Sequence, residues 1–191
     1  NTIGGTDVGN EFNGGTHNTL FGNGAGKELT TATSCSFYGS NAGRNITTGD
    51  YNTGIGNQAL YTITTATNNT ALGYKALRDV ANAYSNVGVG FQTGENITTG
   101  NQNTYIGTNA GQATTTGSRN CAMGHLAAND ITTGEDNIAI GYQALEKVTS
   151  QGDNIAIGTN ALRNSTDHYS VAVGQNALYS NTTGRDNVAI G

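Results

Sequence analysis

Two aspartates offer the clearest opportunity for chemistry in this sequence. Asp136 and Asp153 directly precede two identical strings, Asn137–Gly141 and Asn154–Gly158. If the stretch from one aspartate to the next forms one coil of a stacked structure, their backbones lie about 4.8 Å apart, which overlaps the carboxyl separation of a retaining glycosidase. Equivalent positions in other coils hold unrelated residues, among them His17, Ser34 and Tyr51, and no aromatic cleft accompanies the pair. A solvated turn is therefore the better interpretation.

A glycine-rich stretch, Gly54–Ala59, fits the dinucleotide-binding fingerprint, and Gly88–Gly90 begins a second one. Such a fingerprint requires a strand before it, a helix after it, and an acidic residue about 20 positions further on. The same glycines recur along the whole chain, and no helical period follows them. Nucleotide binding is therefore not expected.

The cysteines and histidines do not form a site in one chain. Cys35 and Cys121 are separated by five coils, or about 24 Å of stacked sheet, whereas a disulfide needs Cα atoms within roughly 7 Å. We expect both to behave as small buried hydrophobes. His17, His125 and His168 fall in different coils and at different positions of the coil. We expect no enzymatic activity, no cofactor and no metal site.

The composition excludes several classes of protein. The 191 residues include 29 glycines and no proline, 11% are charged, and the net charge is -5. The eight basic residues are scattered, so nucleic acid is not an expected partner. No apolar stretch approaches the length that crosses a bilayer. Regularly placed aliphatic residues argue against disorder.

A repeat accounts for this composition. A glycine returns with a 17-residue period, except that the interval between Gly158 and Gly174 is one residue shorter, and we number each repeat from this glycine as position zero. Between a degenerate first copy at Gly5 and a last copy at Gly191, the series comprises Gly22, Gly39, Gly56, Gly73, Gly90, Gly107, Gly124, Gly141, Gly158 and Gly174. Such a period is the signature of a solenoid.

Two further positions repeat with the glycine. Position minus four is Asn1, Asn18, Asn52, Asn69, Asn86, Asn103, Asn120, Asn137, Asn154 and Asn187, with Cys35 and Ser170 as the exceptions. Position minus one is apolar in nearly every repeat, as in Phe21, Ile55, Leu72, Val89, Ile106, Met123, Ile140, Ile157, Val173 and Ile190. Position minus two is Ala or Gly in most repeats, and this alternation indicates a short strand.

Stacked copies can bury apolar surface that one repeat cannot. The sequence therefore predicts that residues 1–191 form one all-β, parallel β-solenoid of about eleven coils, roughly 50 Å long. Stacked asparagine amides would bond to one another and to turn backbone. We expect the bulky side chains of each strand to fill the coil and the small ones to admit a second backbone, although the reverse assignment fits the alternation equally. A core this thin needs a partner, and a second copy of the chain is the natural one.

The string Asn-Ile-Ala-Ile-Gly, at Asn137–Gly141 and Asn154–Gly158, resembles the repeat of trimeric autotransporter adhesin heads. Similar strings occur in phage and virus tail fibres. The resemblance covers nearly the whole chain and implies a left-handed β-roll, a homotrimer, and an exterior that binds a host receptor, glycan or matrix. It also implies an extracellular, cell-surface or virion location. The longer repeat and the lack of stalk or anchor motifs favour a shaft segment excised from a longer fibre protein.

Two other functions stay open at the level of sequence. The repeated Asn-Thr units also resemble plant ice-binding β-rolls, but position minus three changes from Thr70 to Val87, Cys121 and Ile138, which breaks the rank of threonines that a flat ice face needs. A glycan-active, tailspike-like enzyme would depend on the aspartate pair. A structural fibre or adhesin segment accounts for more of the sequence than either alternative.

Overall fold

The computed structural model describes residues 1–182 and 184–191, and these residues form a single parallel sheet with no helix. Accordingly, nothing in the described part of the chain is a helix long and apolar enough to span a membrane. Each repeat contributes one three-residue strand, and the strands pair in chain order. They are β1 (Thr2–Gly4), β2 (Thr19–Phe21), β3 (Ser36–Tyr38), β4 (Thr53–Ile55), β5 (Thr70–Leu72), β6 (Val87–Val89), β7 (Thr104–Ile106), β8 (Cys121–Met123), β9 (Ile138–Ile140), β10 (Ile155–Ile157), β11 (Val171–Val173) and β12 (Val188–Ile190).

The register places each residue on its equivalent in the next repeat. Ile138 pairs with Ile155 and Ala139 with Ala156, which is a displacement of one full repeat. Between β10 and β11 the displacement is one residue shorter, and Ile155 pairs with Val171. The predicted parallel β-solenoid of about eleven coils is therefore confirmed.

The glycine at position zero ends each strand with a backbone conformation that other residues resist. Gly107 has a φ of 129°. A methyl group added there would lie 2.6 Å from the carbonyl oxygen of Gly124, in the adjacent coil. The same close approach recurs at position zero of the successive coils, so both the backbone conformation and the spacing of the coils require glycine here.

The strand faces are oriented opposite to the preferred expectation. Position minus two points inward, so that Ala139 and Ala156 are fully buried. Position minus one points outward, and Ile140 and Ile157 are both more than a third exposed. The preferred assignment was wrong, because other parts of the same coil already fill its interior. Alanine at plus three, leucine or glycine at plus four, and an aliphatic residue at plus seven in most coils leave little room for minus two.

Side-chain size at minus two is balanced by size at plus four. A methyl group at Gly43 would lie 2.5 Å from the ring of Phe37, which occupies minus two of the same coil. Where minus two is small, as at Ala71, plus four is a buried leucine, Leu77. Most coils thus fill a nearly constant cross-section in one of these two ways, as close-packed interiors require. Where both positions are small, as at Gly88 and Gly94, Leu77 and Tyr105 of the adjacent coils occupy the space.

This balance predicts strong coupling between Phe37 and Gly43. Phe37→Ala alone should lower the free energy of unfolding by about 3–5 kcal/mol through a cavity, and Gly43→Leu alone by about 1–3 kcal/mol through overpacking. The double variant recreates the Ala71 and Leu77 arrangement, so it should lose at least about 1 kcal/mol less than the sum. Urea unfolding of the four proteins measures the coupling, and strictly additive losses would contradict the packing described.

Candidate functional surfaces

The asparagines at minus four form a buried ladder along the stack. The Oδ1 atom of Asn103 accepts the backbone N–H of Asn120 at 2.9 Å and also its side-chain amide at 3.2 Å. The Nδ2 atom of Asn103 donates to the carbonyl of Gly117 at 2.9 Å. The same pattern of Oδ1 acceptance repeats from Asn52 to Asn154. Because these amides are satisfied within the fold, they have a structural role.

Two residues replace asparagine in the ladder and show what it supplies. Cys35 directs its Sγ atom to the carbonyl of Gly49 at 3.3 Å, and burial raises the pKa of its thiol to about 11. The backbone N–H of Ser170 donates to the Oδ1 atom of Asn154 at 3.1 Å. The hydroxyl of Ser170 is buried without a hydrogen-bond partner. Each replacement therefore keeps the bond from its own backbone N–H to the preceding asparagine but supplies no side-chain oxygen that bonds to the N–H of the next coil.

Asn103 provides a test of the ladder. Asn103→Ala removes the acceptor for the Asn120 N–H and the donor for the Gly117 carbonyl, both of them buried. Each unsatisfied group costs about 1–3 kcal/mol, so the free energy of unfolding should fall by at least about 2 kcal/mol. Asn10→Ala, at an exposed turn position, is the matched control and should change it little. Equal losses from both variants in urea unfolding would refute the structural role of the ladder.

Asp136, the first residue of the aspartate pair, is held in an exposed ion pair. Asp136 is exposed and accepts two hydrogen bonds from the guanidinium of Arg119, at 2.7 Å and 2.8 Å. This hydrogen bonding by Arg119 lowers the pKa of Asp136, whereas a glycosidase acid needs a raised one. Arg119 also contacts Glu135. The pair lies on an open turn, and no cavity is found at the surface of the described residues.

The remaining sequence candidates are not brought together into a site. Gly54 and Gly56 lie in and just after β4, and a turn rather than a helix follows. Cys35 is buried and Cys121 half-buried, and both are free thiols. Across residues 1–182 and 184–191, no three His, Cys, Asp or Glu side chains are placed to hold a metal ion.

Buried charge in the stack is paired between coils. Glu95 and Glu146 are both almost fully buried. Glu95 contacts Arg78 at 2.5 Å, and Glu146 contacts Arg163 at the same distance. Each pair joins position plus five of adjacent coils, so these charges neutralise one another as buried charges must.

The surface that stands out is the outward side of the sheet, which we call the outer face. It consists of positions minus three, minus one and plus one of every coil, and none of these positions holds Asp, Glu, Lys or Arg. Its apolar side chains are well exposed, including Leu72, Met123 and Ile140. Stacked aromatic rings extend it, with Tyr74 and Phe91 at 5.2 Å between centroids.

The sequence did not lead to the outer face, because the apolar side chains at minus one were expected to point into the coil. The absence of charge from three whole columns was a signal that could have identified it. Among known proteins, no family model, curated protein or solved structure matches this chain.

Proposed function

We propose that this chain is a structural segment of a trimeric extracellular or virion fibre or adhesin, which builds a rigid rod and presents surface for attachment. The observation that carries the proposal is the outer face, an uncharged and largely apolar strip that follows all twelve strands. Exposed apolar surface of this extent is characteristic of an interaction site. A soluble rod would cover it by assembly.

The continuous stack and its exposed polar turns suit the shaft of a fibre, whose surface is in contact with water and with a target. Every strand is bonded to its neighbours in sequence order, so the stack extends without a break, to about 50 Å at the spacing of a sheet. The turns between strands carry exposed polar residues, such as Thr48, Asn68 and Thr116. A host receptor, glycan or matrix surface would be contacted through these turns, because the proposed assembly covers the outer face.

Mass in solution tests the assembly directly. Multi-angle light scattering should give about three times the chain mass of 19.6 kDa, because only burial of the outer face removes its apolar side chains from water. Electron microscopy of the same sample should show short rods rather than globular particles. A chain that stays monomeric across micromolar to millimolar concentrations would contradict the proposal.

Ice binding is a second candidate that one observation favours. Threonine recurs at plus eight and plus nine in most coils and forms a double rank, which Asn82, Ser150 and Asp167 interrupt at plus nine. The plus-eight hydroxyls of Thr98 and Thr115 each donate to the backbone carbonyl of the next coil. The neighbouring plus-nine residues Thr99, Thr116 and Thr133 are exposed. This rank is more regular than the one at minus three.

Thermal hysteresis separates the two functions. A fibre segment should show none, because its threonines serve turn chemistry. Hysteresis that disappears in Thr116→Tyr, with the β-sheet circular dichroism unchanged, would establish ice binding instead. Asn10→Tyr, outside both the threonine rank and the outer face, is the control for added bulk on the surface.

A further inference from the structure

We infer that the outer face is where copies of this chain meet, and that its C-terminal part, β8–β12, supplies most of the attachment between them. The inference deepens the proposed function and rests on its claim of self-assembly. It assigns the partner to one surface and divides that surface into a strong and a weak half.

The occupant of the outer face must match its period. Side chains of one type follow one another at about 4.8 Å along each column, over eleven intervals. An irregular protein surface can complement a few such steps but not all of them. A second copy of the chain presents the same spacing throughout, so it can pack along the whole length. In a parallel alignment, each part of the face would also meet the same part of the other copy.

The extent and chemistry of the face suit such an interface. From minus three to plus one the face is about 13 Å wide, so its whole length offers roughly 650 Å² per chain. This is of the order that each partner contributes to a standard protein interface. The absence of charged residues matches the composition of interface cores.

Polarity along the face is uneven. In the N-terminal half, position minus three is mostly a hydroxyl residue, namely Thr2, Thr19, Ser36, Thr53, Thr70 and Thr104, with Val87 as the exception. From β8 onward it is Cys121, Ile138, Ile155, Val171 and Val188. Position minus one is apolar in both halves. Two adjacent apolar columns therefore occur only toward the C-terminus, where burial against another copy yields the most stabilisation.

An exchange of minus-three residues tests this division. A triple variant, Ile138→Thr, Ile155→Thr and Val171→Thr, gives the C-terminal half the pattern of the N-terminal half. These positions point out of the coil, and threonine occupies the same place in β4 and β5, so each chain should keep its fold. Because the new hydroxyls are buried on assembly, the concentration for half-dissociation should rise at least about tenfold.

The matched control is the reverse change, Thr53→Val, Thr70→Val and Thr104→Val, which should leave assembly as strong or strengthen it. Analytical ultracentrifugation over a dilution series measures all three proteins. If the wild-type chain assembles and the first triple variant dissociates no more readily, the inference is overturned while the fibre proposal stands. If the wild-type chain never assembles, both fail.

The native cysteines give a readout that needs no variant. Cys121 lies at minus three of β8, on the outer face, whereas Cys35 is buried within its own coil. Maleimide should label Cys121 at least about tenfold more slowly in the assembled wild type than in the same protein diluted until it dissociates. Cys35 should resist labelling in both states. Equal labelling of Cys121 in the two states would show that the outer face stays open, and would overturn the inference.

Discussion

Bonding of each coil to the next constrains every other feature of this molecule. Thr104 donates its N–H to the carbonyl of Asn120 at 2.8 Å, and Gly107 donates to Val89 at 2.8 Å in the opposite direction. Similar bonds follow the turns, so the whole contour of a coil is held against its neighbours. A residue type that suits one position must therefore suit a column, and this is why asparagine and glycine recur at fixed places.

The short repeat shows how strict this constraint is. One coil is a single residue shorter than the others, yet β10 and β11 remain in register. Ile155 donates to Ser170 at 2.9 Å and Val171 donates to Asn187 at 2.7 Å, so the ladder continues on both sides. The missing residue is absorbed in the turn that precedes Ser170.

Sequence reasoning recovered what repetition encodes. The regular period gave the strands, their parallel order and the asparagine ladder, because stacking converts a period directly into a register. It did not give the direction of the strand faces. Alternation shows that a strand has two different faces, but it does not show which face points into the coil. The residues of the turn determine this, because they fill the interior. There Leu60 and Leu77 enter the core with φ of 54° and 48°, a conformation that leucine seldom adopts.

The same reversal changes how the candidate function is understood. With small residues inward, the coil closes on itself and leaves its large aliphatic side chains outside. An isolated chain would then expose an apolar strip along its whole length, which is unfavourable in water. In the proposed assembly, association with further copies would remove that strip from solvent and would leave the polar turns for contact with a target. The fibre proposal thus depends on which face of each strand points out of the coil.

Removal of one complete coil tests the stacking most directly. Deletion of residues 137–153 removes one full repeat and joins Asp136 to Asn154, so every later residue keeps its position in the coil. This shortened chain should retain its β-sheet circular dichroism and a cooperative thermal transition, at a melting temperature close to that of the full chain. Deletion of residues 137–144 breaks the register and should abolish the transition. Equal loss of structure in both deletions would contradict the stacking of equivalent residues in successive coils.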